Sequence, residues 1–403
     1  MNPYKLTVAA FGIFAASALA STSLDSAANA AVQEPSATTE TTVAEVSAKP
    51  NAEKKPDVSL GGRIEFDAFV PNWNRKGSMP HDFVSVLDLD VKARFDEHWS
   101  AEVEMEGAER IAYPYIYFNG AYVKYENDWA YVKVGDMSYT EGVINYHRFD
   151  NFSAFAAGMK RQNMRGIEGG MANAMIGIGL SAEEKDSMTI MGAEVRDENA
   201  YFIHAAYDWE VAGQKIRPYF NYKGYDKGDY NSIRAGVNAN LVFGDMFEAH
   251  AAYGLWDDCA FKGEPVVSHT FLFEPTLNLG KFSIKGSAFF AYLTDNLDRA
   301  TVIDMPEFYY VHAEPSYQVT DAFKAAVMGE YHSNTLDRSN IQNSFAYVGP
   351  KFYFKPNSFI SMDVYAAAVL PIGDTADSTG TVVQFTKDDK VLFDAGAEAV
   401  FTF

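Results

Sequence analysis

From Val58 to the last residue, apolar and polar positions alternate with a period of two. In FVSVLDLDVKARF, Phe83, Ser85, Leu87, Leu89, Val91, Ala93 and Phe95 share one face, and Asp88, Asp90, Lys92 and Arg94 share the other. In AEVEMEG, Val103 and Met105 alternate with Glu102, Glu104 and Glu106. In IRAGVNANLVF, Ile233, Ala235, Val237, Ala239 and Leu241 alternate with Arg234, Asn238 and Asn240. Successive side chains of a strand point to opposite faces, so this period predicts strands, and no helical period of comparable length interrupts it. Many of these runs reach about 10–14 residues. Soluble sandwiches use strands of about 5–6 residues, whereas crossing a bilayer at a tilt takes about 9–11.

The connections also alternate. Short ones fall at 95–98, 126–128, 243–245, 280–281, 319–321 and 355–358, and longer ones at 71–82, 137–163, 257–265, 295–305, 333–341 and 373–388. Short turns at one rim and long loops at the other are the pattern of an outer-membrane barrel. A spanning sheet must close, because an open edge in lipid leaves backbone groups unpaired. The expected fold is therefore all-β, a transmembrane antiparallel β-barrel over 58–403. Strands are expected near 58–70, 83–95, 98–107, 116–126, 129–136, 165–181, 188–196, 200–208, 214–224, 231–243, 246–256, 267–279, 282–293, 307–318, 322–333, 342–354, 359–371 and 390–403. That makes 18, with 16 as the alternative. Either size leaves an aqueous lumen.

The residues before the barrel read differently. Met1–Lys5 carries one cation, Leu6–Ala20 is apolar, and Ala18-Leu19-Ala20 and Ala28-Asn29-Ala30 are candidate cleavage sites. This predicts a secretory signal peptide, 1–20, with cleavage as late as 30. Residues 31–57 are rich in Ala, Thr, Glu, Pro and Lys and contain no aromatic, which predicts a disordered periplasmic linker. It is read as a spacer, with a tether to the cell wall as the alternative.

Charge and composition narrow the chemistry. The chain has 33 Lys and Arg against 54 Asp and Glu, a net charge of -21, which argues against nucleic acid as a partner. One cysteine, Cys259, excludes a disulfide framework. The eight His show no metal-ligand spacing, and no G-x-S-x-G or phosphate-cradling loop occurs, so neither enzyme nor cofactor is expected. If the apolar parity faces lipid, Arg63, Glu65, Asp67, Asp88, Asp90, Lys92, Arg94, Glu102, Glu104 and Glu106 line the lumen. The opposite assignment would set Arg or Lys in lipid at roughly 2–4 kcal/mol each near the midplane. Phe69, Tyr219, Tyr347 and Tyr365 share the lumen parity and could form a stacking surface for sugars.

The last segment, VLFDAGAEAVFTF, places Val391, Phe393, Ala395, Ala397, Ala399, Phe401 and Phe403 on one face. It resembles the terminal strand of Gram-negative outer-membrane barrels, which implies that the barrel assembly machinery reads Phe401 and Phe403. The signal, the barrel pattern, the position of loop 137–163 and the final Phe together resemble trimeric Gram-negative porins. That resemblance implies an outer-membrane location amid lipid and lipopolysaccharide, a homotrimer as one assembly, and a third loop folded into the pore. Glu141, His147, Arg148, Asp150, Lys160 and Arg161 are then the candidate constriction residues. The Pro-Glu-Phe-Gly-Gly signature of the enterobacterial constriction loop is absent. The expected function is a porin for passive diffusion of small hydrophilic solutes, mildly preferring cations. The alternatives are a saccharide porin and a structural or adhesive barrel.

Overall fold

The computed structural model of the 403-residue chain describes residues 55–70, 82–110, 115–139, 162–181, 188–190, 193–195, 200–224, 231–258, 266–294, 307–336, 341–372 and 391–403. The expected signal peptide, nearly all of the linker and the constriction residues Glu141, His147, Arg148, Asp150, Lys160 and Arg161 lie outside them.

Eighteen strands form the wall. They are β1 (Asp57–Val70), β2 (Asp82–Arg94), β3 (Trp99–Arg110), β4 (Tyr115–Glu126), β5 (Ala130–Tyr139), β6 (Gln162–Met171), β7 (Ala174–Ser181) and β8 (Tyr201–Tyr207, continued past Asp208 by Trp209–Val211). Then follow β9 (Gln214–Gly224), β10 (Asn231–Phe243), β11 (Phe247–Asp258), β12 (Val266–Leu279) and β13 (Phe282–Thr294). The wall ends with β14 (Glu307–Thr320), β15 (Phe323–Leu336), β16 (Ile341–Phe354), β17 (Ile360–Ile372) and β18 (Leu392–Thr402). Each pairs antiparallel with its neighbour in sequence, and β18 pairs with β1, so the sheet closes without an edge.

The expected count of 18 is reached by a different route. The single strand expected at 165–181 is two strands, β6 and β7, joined by a tight turn in which Ala172 (φ 48) and Asn173 (φ 70) are both left-handed. Two positive φ values in a two-residue loop make a type I′ turn, whose backbone twist matches that of its strands. Alanine in the first place conceals it. The wall strand expected at 188–196 is instead a two-stranded hairpin, Met188–Ile190 with Ala193–Val195, in a sheet separate from the barrel. The extra wall strand at 162–181 offsets the one absent at 188–195, so the total stays at 18.

Three of the short turns are set by Asx side chains. Asp96 accepts from the backbone N–H groups of His98 (2.7 Å) and Trp99 (2.8 Å). Those two donors hold its carboxyl below the ordinary carboxylate range. Asn127 accepts from Trp129 and Ala130, and Asn357 from Phe359 and Ile360, in the same way. All three lie at the rim that is periplasmic in such barrels.

At the seam between β1 and β18, the Gly62 N–H donates to the Phe403 carbonyl (3.1 Å), and the Phe403 N–H donates to the Gly62 carbonyl (3.0 Å). Phe401 meets Phe66 edge-on, with ring centroids 6.3 Å apart, on the outer surface. That surface is the apolar parity the sequence places there, with Val58, Leu60, Val134, Ile178, Val311, Val327 and Val364 exposed. In water such a band would be untenable, and in hydrocarbon it costs nothing.

A single ion pair breaks the band. On β5 and β6, Asp136 and Arg165 are register partners on the outward parity, and the guanidinium is bidentate on the carboxylate (Nε–Oδ1 2.6 Å, Nη2–Oδ2 2.9 Å). Among the described residues no other Asp, Glu, Lys or Arg shares that parity, except Glu109, Asp257 and Glu307 at the loop ends of their strands.

Candidate functional site

The inner wall is polar, as the parity requires, but it is unevenly so. β1–β3 form an acidic arc. Glu65, Asp67, Asp88, Asp90, Glu102, Glu104 and Glu106 face inward there, against Arg63, Lys92 and Arg94. Some of these charges pair. Arg63 bonds Asp88 and reaches Glu65 at 3.2 Å, and Lys92 bonds Glu102 at 3.0 Å. Arg94 is placed lower than a mid-wall residue, at the short-turn rim, where its Nε donates to the Asp96 carbonyl (3.1 Å).

Two carboxylate pairs stand directly opposite one another in the ladder, Asp88 with Glu106 and Asp90 with Glu104. Like charges in cross-strand register oppose sheet formation. The arrangement persists where water screens it, and this arc is wet: the Lys92 side chain is 56% exposed and that of Arg63 50%. A wall that breaks a local pairing rule over several residues marks a place where function outweighs stability.

The opposite wall has the opposite sign. In a closed ring of eighteen strands, β10 stands nine strands from β1, half the circumference away. The inward parity of β9 and β10 carries Lys215, Arg217, Lys223 and Arg234 and no carboxylate. Their partners come from elsewhere. Arg217 reaches Asp208 (3.3 Å), Lys215 reaches Glu210 (3.8 Å), and the Arg234 guanidinium lies against the side-chain amide of Gln162. An acidic arc facing a basic one makes a field across the lumen rather than along it.

Between the arcs the wall is a set of shared carboxylates. Glu168 accepts from Lys133 (3.1 Å) and the Tyr131 hydroxyl (2.9 Å). Glu314 accepts from the Tyr353 hydroxyl at 2.6 and 2.7 Å, and Lys324 lies over the same ring, 3.9 Å from its centroid. Lys351 pairs with Asp363 at 3.0 Å. Glu330 bridges two histidines on neighbouring strands, with His312 Nδ1 and His332 Nε2 each 3.2 Å from one of its oxygens. The sequence places these histidines one to a strand; the β14–β15 register brings them to one carboxylate. Among the described residues, no group of three or more His, Cys, Asp or Glu is arranged to hold a metal ion.

Inner-wall tyrosines lie against glycines. The rings of Tyr131, Tyr219 and Tyr365 occupy the space that a side chain would take at Gly170, Gly236 and Gly396 respectively, and the Tyr139 hydroxyl with Met164 occupies that at Gly177. Three of these pairs are direct register partners across adjacent strands. Each ring covers bare backbone instead of projecting into the bore. Tyr219 and Tyr347, read as part of a stacking surface, are buried to 5% and 0% exposure. A sugar slide built on these two rings is thereby removed.

The fold and this two-signed wall define the class: a transmembrane β-barrel of the outer-membrane type. Solved structures agree on the fold. The barrel is similar to Pseudomonas aeruginosa OpdL, with a TM-score of 0.54 and 12% identity over 86% of this chain and 99% of that one. It is similar to OccAB3 of Acinetobacter baumannii at 0.54 and 9%, over 86% and 99%. It is also similar to OmpT of Vibrio cholerae, described as an outer membrane protein in trimer form, at 0.51 and 12%, over 87% and 100%. No protein-family profile matches the chain, and no curated protein matches it in sequence.

Proposed function

We propose that this barrel is a passive diffusion channel for small hydrophilic solutes with a mild preference for cations, and not an enzyme. The observation that carries this reading is the wet acidic arc of β1–β3 facing the basic arc of β9–β10. Carboxylate rings and rows favour cations, and a field across a water-filled passage orients polar solutes and gives nothing to apolar ones. Single-channel recording in planar bilayers tests it. Open steps with a cation-sided reversal potential under a KCl gradient are expected. Silence would favour the structural or adhesive reading, and anion selectivity would remove the role given to the arc.

The loop between β5 and β6 is the third connection at the rim opposite the short turns, and its charges Glu141, His147, Arg148, Asp150, Lys160 and Arg161 are proposed to narrow the passage. By sequence it is the longest connection of the barrel, and long connections are commonly functional. Deleting residues between Glu141 and Lys160 should raise conductance and admit larger solutes, with the barrel still folding, because loops carry little of its stability. An unchanged conductance would place the constriction on the wall.

Phe401 and Phe403 are proposed as the signal read by the assembly machinery. The Phe403→Ser variant should lower the inserted, heat-modifiable fraction several-fold, although the seam hydrogen bonds to Gly62 use only backbone atoms and remain available. A normal inserted fraction would refute the signal. Assembly as a homotrimer, with residues 31–57 as a spacer, completes the proposal.

A further inference from the structure

We infer that the outer face of β3–β6 is the surface through which copies of this chain associate in the membrane. The first observation is the Asp136–Arg165 pair. Asp136 stands six residues beyond Ala130, the first residue of its strand. At about 3.3 Å per residue and a tilt of about 40°, that is roughly 15 Å above the short-turn rim, near the middle of an apolar band about 25 Å tall. The Arg165 side chain is 72% exposed and that of Asp136 25%. An exposed guanidinium at that depth has no water and no headgroup to meet it.

The second observation is an apolar recess of about 430 Å³ beside the pair, lined by Trp99, Val123, Tyr125, Val132 and Val134. Val134 is two residues from Asp136 on the same strand and shares its outward parity. The face thus combines a hollow and a two-signed charge, whereas other described faces of the barrel present apolar side chains at that height.

The charge identifies the occupant. A lipid phosphate would suit Arg165 but be repelled by Asp136, and it sits at the surface rather than at mid-depth. An acyl chain would fill the recess and leave both charges in hydrocarbon. A second copy presents the same two charges, so that Arg165 of one copy can reach Asp136 of the next. The patch is complementary to itself.

The inference rests on the membrane placement of the barrel and not on conduction. Its test therefore uses no current. In a Cys259→Ser background, Ile167→Cys places a thiol on this face and Val348→Cys places one on β16, far around the ring. Treatment of native outer membranes with a short thiol cross-linker should give covalent oligomers from Ile167→Cys and at least tenfold less from Val348→Cys. Adding Asp136→Arg should abolish the Ile167→Cys product, and the exchange Asp136→Arg with Arg165→Asp should restore it. Heat-modifiable mobility of every variant checks that the barrel is folded. The milder pair Asp136→Asn with Arg165→Gln serves if the reversal fails to fold, and it should lower cross-linking several-fold. Folded barrels that cross-link equally from both positions, or not at all from Ile167→Cys, would overturn the inference.

Discussion

Replacing Asp88, Asp90, Glu102 and Glu104 together by their amides should turn the reversal potential under a KCl gradient from the cation side to the anion side. Each is on the inward parity of β2 or β3, beside the exposed side chains of Arg63 and Lys92. A unit charge about 10 Å away in water contributes about 0.4 kcal/mol to the energy of a passing ion. Four such charges change local ion partition roughly tenfold before salt screening, which reduces the effect at a Debye length of about 10 Å. The change also frees Lys92 from Glu102 and leaves Glu65, Asp67 and Glu106 against Arg63, Lys92 and Arg94, so the arc loses its negative balance and the basic arc of β9–β10 sets the sign of the lumen. Folding should be unaffected or slightly improved, since Asp90 and Glu104 face each other in register. A reversal potential that keeps its sign in a folded variant would show that selectivity is set elsewhere.

Replacing Gly349 with Val should prevent most of the protein from reaching the folded barrel. A Cβ at Gly349 would lie inside contact distance of the Ala366 carbonyl and 2.6 Å from the Ala367 Cα. Both are backbone atoms of the neighbouring strand, so no rotamer can relieve the clash. The ladder between β16 and β17 also has a gap here, with Val348 paired to Ala368 and Lys351 to Tyr365 and nothing between. Pro350 supplies no N–H to fill it. Ordinary overpacking costs about 1–3 kcal/mol, and a backbone collision within the ladder should exceed that range. Gly329→Val is the control. Gly329 is on the adjacent strand β15, faces outward, and its Cβ would meet nothing nearer than 3.9 Å. It should change stability by no more than about 0.5 kcal/mol. Urea unfolding of both variants in lipid vesicles measures the difference, and similar stabilities would show that β17 can shift to accept a side chain.

Much of the fold is legible in the sequence where alternation is strict. Residues 231–243 are a strand to the residue because every second position is apolar and Gly244 turns left-handed directly after them. Legibility fails where a turn lacks its usual residues. Nothing in Met171-Ala172-Asn173-Ala174 announces a reversal except the asparagine, and alternation continues across it. Residues 188–195 carry a strand-like pattern, yet the hairpin there pairs only with itself. For the site, parity places Glu65, Asp88, Asp90, Lys92, Glu102 and Glu104 on the lumen side, as the registers have them. The basic arc is not legible in that way. Alternation marks Arg234 as a polar-face cation but does not join it to Arg217 and Lys223, and only closure of the ring puts the three across from β1. Asp136 and Arg165 escape for the converse reason. They violate the alternation, and a pattern is a poor instrument for finding its own exceptions.

The tyrosines laid over glycines have a consequence for how this wall can drift. At Tyr131 and Gly170, or Tyr365 and Gly396, the bore is set by two codons on neighbouring strands. A methyl group at Gly170 alone evicts the ring of Tyr131 into the passage and narrows it, while loss of the ring alone leaves naked backbone facing water. Neither step can be taken singly without altering the aperture. Variation along this part of the chain is therefore expected to arrive as paired substitutions, and the aperture to be inherited as a unit even where the surrounding sequence has diverged beyond recognition.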